Sequence, residues 1–178
     1  MPGEKLTLKA NHSWKCKPGN SICVIDRGAL RFEYPSNWIV EPGDGALHLY
    51  DRPPSVESCD LGVSIFRVPR EAIQDMPLDQ TLLASLESEW EAYHQSEIHH
   101  QENADVEIAW LQQKYVDAEH KRDARFRVAV ARGSVFCLIT MNYWSDRALE
   151  LELVWEEVLR TVVCGVMIAD PTAGPVVQ

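Results

Sequence analysis

The chain has 178 residues, 46% of them hydrophobic, with a formal net charge of −10 and a pI near 5.0. That length fits one domain with a substantial core, and that apolar share excludes global disorder. The acidic balance argues against nucleic-acid binding, which needs clustered Lys and Arg, and the basic run His120-Lys121-Arg122 lies between Glu119 and Asp123.

Residues 1–20 carry few apolar positions and read as a flexible arm. No apolar core of secretory type follows Met1-Pro2-Gly3-Glu4-Lys5. Nor does any stretch approach the roughly 18 apolar residues of a membrane span, so a cytoplasmic protein is expected. The five cysteines, Cys16, Cys23, Cys59, Cys137 and Cys164, include no CxxC pair. If Gly19-Asn20 forms a two-residue hairpin loop, Cys16 faces Cys23 at a Cα separation of about 5.5 Å, within disulfide range. In a reducing cytosol two free thiols are the expectation.

Ser21 to Asp26 makes a short strand, broken by Arg27-Gly28. Leu30, Phe32 and Tyr34 then alternate on one face of a second strand. Pro35-Ser36-Asn37 supplies turn chemistry before a strand entered through Trp38. Pro42-Gly43-Asp44-Gly45 turns the chain again. Ala46–Tyr50 and Leu61–Val68 are further strands, closed by Pro53-Pro54-Ser55 and by Pro69.

From Pro77 to Tyr93 the period changes. Leu82, Leu83, Leu86, Trp90 and Tyr93 recur at helical spacing, which predicts one amphipathic helix. His94 to Asp105 is polar and reads as a loop. Val106–Val116, Ala124–Ala131 and Val135–Tyr143 follow as three strands, the last two joined in a hairpin through Arg132-Gly133-Ser134. Ser145-Asp146 offers two good N-caps for a second helix with Leu151, Val154, Trp155 and Val158 on one stripe. Val162 to Ile168 is a final edge strand, and residues 169–178 look like a frayed tail.

Strands, helix, strands, helix without βαβ alternation predicts a single α+β domain over residues 21–168, with a central, mainly antiparallel sheet flanked by helices. Phe32-x-Tyr34-Pro35-x-x-Trp38, followed by turn, strands, helix and a three-stranded meander ending in a helix, resembles the PsbP-like family, which takes in DcrB-type bacterial proteins. The resemblance covers roughly residues 21–165 and implies an α/β sandwich. It also implies a binding or assembly role without a catalytic site, and it transfers no functional residue.

The chain contains no GxGxxG, P-loop, GxSxG or HExxH motif. Ser64 and Cys137 fall inside strands, and Cys59 sits beside Asp60, which would raise a thiol pKa rather than activate it. His94, Glu97, His99, His100 and Glu102 are the best metal-ligand candidates. Their irregular spacing and adjacent histidines argue for an exposed polar loop without a metal. Glu150, Glu152, Glu156 and Glu157 read as a solvated helix face. Trp38, Trp90, Trp110 and Trp155 read as core, and Trp14 and Trp144 as edge or ligand-stacking positions.

The expectation is therefore a non-enzymatic protein-binding or adaptor module with no catalytic residue, no cofactor and no metal. Its partner would be a protein, either another chain or a second copy of this one. Its surface would be a part of the sheet that two helices leave uncovered, with Arg125 and Arg127 projecting from one side. An enzyme acting on a small molecule, or through a metal, is the alternative. An acidic surface suits a basic partner, although solubility alone accounts for it.

Overall fold

The computed structural model describes residues 6–66, 68–86, 91–104, 106–165 and 167–175. Alternating apolar residues build β1 (Asn20–Ile25) and β2 (Leu30–Pro35), which pair antiparallel and bury Cys23, Leu30 and Phe32. The Trp38 N–H closes the turn on the Pro35 carbonyl at 3.0 Å. The chain then runs through β3 (Ile39–Pro42), β4 (Leu47–Tyr50) and β5 (Asp60–Phe66). Two short helices follow, α1 (Arg70–Asp75) and α2 (Leu78–Ala84). Five strands come next: β6 (Ala92–Gln95), β7 (His99–Asn103), β8 (Val106–Val116), β9 (Asp123–Arg132) and β10 (Phe136–Trp144). A 3-10 turn at Ser145–Arg147 leads into α3 (Ala148–Thr161), and β11 (Val163–Cys164) pairs with β2.

Among the described residues these strands make two sheets. The large one has the order β3-β4-β5-β10-β9-β8-β6, with β7 also on β8. The small one is β1-β2-β11. All pairings are antiparallel, as the α+β expectation required. One core joins α3, through Leu151, Trp155, Val158 and Leu159, to Leu30 and Phe32 of the small sheet and to Ile139 and Met141 of the large one. A second core, with Leu82 of α2, lies on the opposite face of the large sheet against Leu111, Phe126, Val128 and Val130. Helices α2 and α3 thus cover opposite faces of the large sheet, each over part of it.

Several expectations are corrected. The helix predicted from Pro77 to Tyr93 ends at Ala84, and Tyr93 lies in β6, where it is 60% exposed. Trp90 lies outside the described residues. The polar segment His94–Asp105, expected as a loop, contributes to β6 and forms β7, both antiparallel to β8. Eleven-residue β8 offers a long outer edge, and polar side chains suit an edge strand there. The Ser145-Asp146 caps do not form: Ser145 Oγ is buried without a hydrogen-bond partner among the described residues, and Arg147 holds the N-cap position without a side-chain capping bond.

The two-residue hairpin at Gly19-Asn20 is also absent. Asn20 pairs with Pro35, and Cys23 stands opposite Phe32. Cys16 is exposed outside the sheet, so the two thiols do not face each other and both are free. The segment expected to be a loose arm is tied to the expected tail. Lys9 and Ser13 donate backbone bonds to the carbonyls of Thr172 and Ala173, and Trp14 Nε1 donates to the Pro171 carbonyl at 2.7 Å.

Candidate functional site

The face of the large sheet that α2 packs on changes character along β10. On β8 and β9 it is apolar and buried beneath the helix. On β4, β5 and β10 it carries His48, Tyr50, Asp60, Ser64, Thr140 and Asn142, all half-buried. The register sets them in rows, with Asp60 opposite both Tyr50 and Asn142, and Gly62 opposite both His48 and Thr140. A Cβ at Gly62 would come within 2.8 Å of Thr140 Oγ1, so this row needs a residue without a side chain.

Within the rows, His48 Nδ1 lies 2.8 Å from Asp60 Oδ1, and the His48 ring stacks on Tyr50 at 6.0 Å between centroids. The other ring nitrogen of His48 points at Gly43, where a Cβ would stand 2.8 Å from it. The Asp60–His48 pair is therefore not aligned to activate Thr140. Burial, then the Asp60 and Glu41 carboxylates, push the Tyr50 phenol above its ordinary value.

At one end of this face lies an open cleft of about 350 Å³, lined by Tyr50, Asp60, Tyr115, Asp117, His120, Asn142 and Trp144 and by parts of the 54–58 loop. The loop before β5 is anchored through Asp51, whose side chain is only 5% exposed. Asp51 accepts the Cys59 N–H at 2.6 Å and the Arg147 guanidinium at the start of α3. Burial raises the Asp51 carboxyl, but the bonds from Arg147 and Cys59 outweigh it and hold the group below its ordinary range. Trp144 Nε1 donates to the Val56 carbonyl at 2.7 Å and pins the loop tip.

The opposite wall is the turn after β8. Asp117 accepts the backbone N–H of His120 at 2.7 Å and of Glu119 at 3.1 Å, and lies 2.8 Å from His120 Nδ1. The His120 backbone bond and then its side-chain bond keep the Asp117 carboxyl low and charged. The His120 ring meets Trp144 edge-on at 5.6 Å, and the Arg122 guanidinium sits 4.5 Å from the Trp144 centroid. A second open cleft of about 780 Å³ shares Tyr115, Asp117 and Asn142 and adds Glu91, Tyr93 and Glu119.

Chemically, this arrangement offers aromatic faces, amide and carboxylate acceptors, and two Asp–His pairs. Its serines are engaged locally, with Ser58 Oγ on the Ser55 carbonyl at 2.7 Å. Burial, then the Asp51 and Asp60 charges, push the nearby Cys59 thiol up, away from nucleophilic use.

The residues singled out from the sequence do not converge here. His99 stacks on Trp110 at 4.3 Å, while His100 turns to Asp79 at 2.7 Å and His94 is exposed on β6. Among the described residues no group of three His, Cys, Asp or Glu side chains is placed to hold a metal. Arg125 and Arg127, expected as an open interface, lie under α3 and both bond Glu152. Arg127 also bonds Gln112 at 2.8 Å and is 7% exposed, so neither the interface nor a purely solvated Glu152 holds. Trp38 and Trp155 are core, as is most of Trp110. Trp144, read as an edge or stacking position, is the aromatic wall of the cleft.

Tyr50, Asp60, Tyr115, Asp117 and Asn142 come from separate segments and were not singled out. A signal for them did exist. His48 and Tyr50, then Asp60, Gly62 and Ser64, then Thr140 and Asn142, place polar or small residues at every second strand position, opposite an apolar face.

The fold and the site define an α+β domain whose large antiparallel sheet bears a helix on one half of a face and an open aromatic and acidic cleft on the other. The chain belongs to the Alr1449 family, whose sequence profile matches residues 21–168. It is 34% identical over 174 residues to the protein alr1449 of Nostoc sp., covering 96% of this chain and 91% of that one. A crystal structure from Bacteroides thetaiotaomicron is similar with a TM-score of 0.60 at 14% identity. The likeness is one of fold; it covers 83% of this chain, which spans only 49% of that one. PsbP of Synechocystis, in its solution structure, aligns over 85% of this chain and 98% of its own, at 12% identity and a TM-score of 0.49. No helix among the described residues is long and apolar enough to cross a membrane.

Proposed function

We propose that this protein is a non-enzymatic binding module that receives a protein partner on the open half of the large sheet. One observation carries the reading: a single sheet face is apolar where α2 covers it and polar, half-exposed and flanked by a cleft where β4, β5 and β10 carry it. A solvated antiparallel face needs no cleft. Here two separate loops are fastened, by Asp51 and by Asp117, so as to wall one. Five cysteines, an odd number with no CxxC pair, fit a reducing compartment such as the cytoplasm.

The Asp117–His120 pair supports the alternative, a small-molecule enzyme with His120 as the acid–base group. A photo-reactive residue at Ser64 or Val56, both on the open side, separates the two readings. The binding module gives a discrete adduct with a host protein from both positions and none from Leu149, which is 89% exposed on α3. Equal labelling from Leu149, or no adduct at all, overturns it. A substrate turnover abolished by His120→Ala establishes the enzyme instead.

A further inference from the structure

Neither cleft is lined by a Lys or Arg among the described residues, whereas together they present Asp60, Asp117, Glu91 and Glu119 beside Tyr50, Tyr93, Tyr115 and Trp144. The two clefts adjoin, with Tyr115, Asp117 and Asn142 in both linings. Asp60 and Asp117 are each bonded through Oδ1 to a histidine and remain partly exposed, at 39% and 30% of the side chain. One cation of the chain itself already uses the wall: Arg122 lies over Trp144 and is held there by Glu57 at 2.6 Å and Asp146 at 3.1 Å. Aromatic faces beside carboxylates attract ammonium and guanidinium groups, and the attraction grows where the cation is desolvated. The chain as a whole carries −10, so its field draws a basic partner toward the same groups.

We propose that the two adjoining clefts seat Lys or Arg side chains of an extended, basic segment of a protein partner; this rests on the binding-module reading above. The segment lies across the open ends of β5 and β10. Its cations meet Asp60 and Asp117 in the smaller cleft and Glu91 and Glu119 in the larger. Tyr50 in the smaller cleft and the 60% exposed Tyr93 in the larger supply ring faces beside them. A neutral or acidic segment would leave four carboxylates facing it without a counter-charge.

The test is calorimetric titration with an alternating Lys-Ser peptide and its Glu-Ser counterpart. The Lys-Ser peptide is expected to bind, and to weaken as salt is raised. Asp60→Asn with Asp117→Asn should lower its affinity at least tenfold. Asp117 also organises its own turn, so Glu91→Gln with Glu119→Gln provides a second variant at two exposed residues. It should lower the affinity severalfold and leave the thermal midpoint unchanged. Failure of the Lys-Ser peptide to bind, unchanged affinity in both variants, or equal binding of the Glu-Ser peptide overturns the proposal. If crosslinks from Val56 persist while the Lys-Ser peptide neither binds nor competes for them, the surface stands and its basic occupant falls. If those crosslinks are missing, the underlying reading falls with it.

Discussion

The Asp51 carboxylate, nearly sealed from solvent, holds the Arg147 guanidinium that opens α3, and so ties the wall of the cleft to the helix on the other side of the sheet. Asp51 also accepts the Cys59 N–H, which fixes where the 51–59 loop re-enters the sheet as β5. Removing one partner of a buried charge pair leaves the other poorly compensated. Arg147 keeps a second, exposed partner in Glu150 at 3.0 Å, which limits the loss. Asp51→Asn should therefore cost about 2 kcal/mol of folding stability.

The pH dependence follows from the depressed Asp51 carboxyl. Its ordinary value is 3.8, and the folded protein holds it lower. The stabilisation is therefore complete well above pH 3.8 and is lost as pH falls through the folded value. Denaturant melts from pH 7 to pH 3 should show the gap between the native chain and Asp51→Asn narrowing only at the acid end. A gap that stays constant to pH 3 refutes this account of the pair.

Glu152 makes a different prediction, for the face beneath α3. Its carboxylate is the common acceptor for Arg125 and Arg127. Glu152→Gln leaves two guanidinium groups in a site where Arg127 is nearly inaccessible. Because Glu152 is a third exposed, solvent screens part of the effect, and the loss should be about 2–3 kcal/mol, below the range for a fully buried pair. Arg125→Glu with Arg127→Glu should lower the thermal midpoint by many degrees rather than leave it unchanged. A double variant as stable as the native chain would mean that these arginines are solvated after all.

The meander was legible in the sequence because each of its strands alternates over many residues: Phe126, Val128 and Val130 face one core, and Ala129 and Ala131 the other. The strand pair at Leu30 and Phe32 was legible for the same reason. The helix boundary at Ala84 was not, because Leu82, Leu83, Leu86 and Tyr93 also satisfy a helical period. Pairing of residues 92–95 with the edge of β8 decides against it, and that partner lies some twenty residues further along the chain. The candidate site was hidden differently. Tyr115 reaches Asn142 with a 2.9 Å hydrogen bond from β8 to β10, across small Ala124 on the strand between them. Nothing local to residue 115 or 142 announces that contact. Arg125 and Arg127 showed their shared side of the strand correctly but not the helix over it, since helix placement depends on both sheets.

Metal analysis provides a further check. Adjacent residues on a strand point to opposite faces, so His99 is drawn to Trp110 and His100 to Asp79. Protein purified without an affinity tag should hold no stoichiometric transition metal, and added zinc should leave the thermal midpoint where it was. A tightly held, equimolar metal would require these side chains to abandon both contacts.

Trp38 carries the last prediction. It enters β3 directly after the Pro35 turn, and it is 9% exposed within the core that α3 shares with both sheets. The residue thus packs at the junction of the two sheets rather than at the cleft. Trp38→Ala removes a large buried side chain from a site whose neighbours are fixed by two sheets and a helix, so the cavity can collapse only partly. The expected loss is about 3–5 kcal/mol. Trp38→Phe keeps most of the apolar volume and should lose clearly less. Equilibrium unfolding of both variants separates packing from a ligand-stacking role. A loss under about 1 kcal/mol for Trp38→Ala, far below the range for large core truncations, would mean that the core does not depend on this side chain. It would then be better sought at a binding surface.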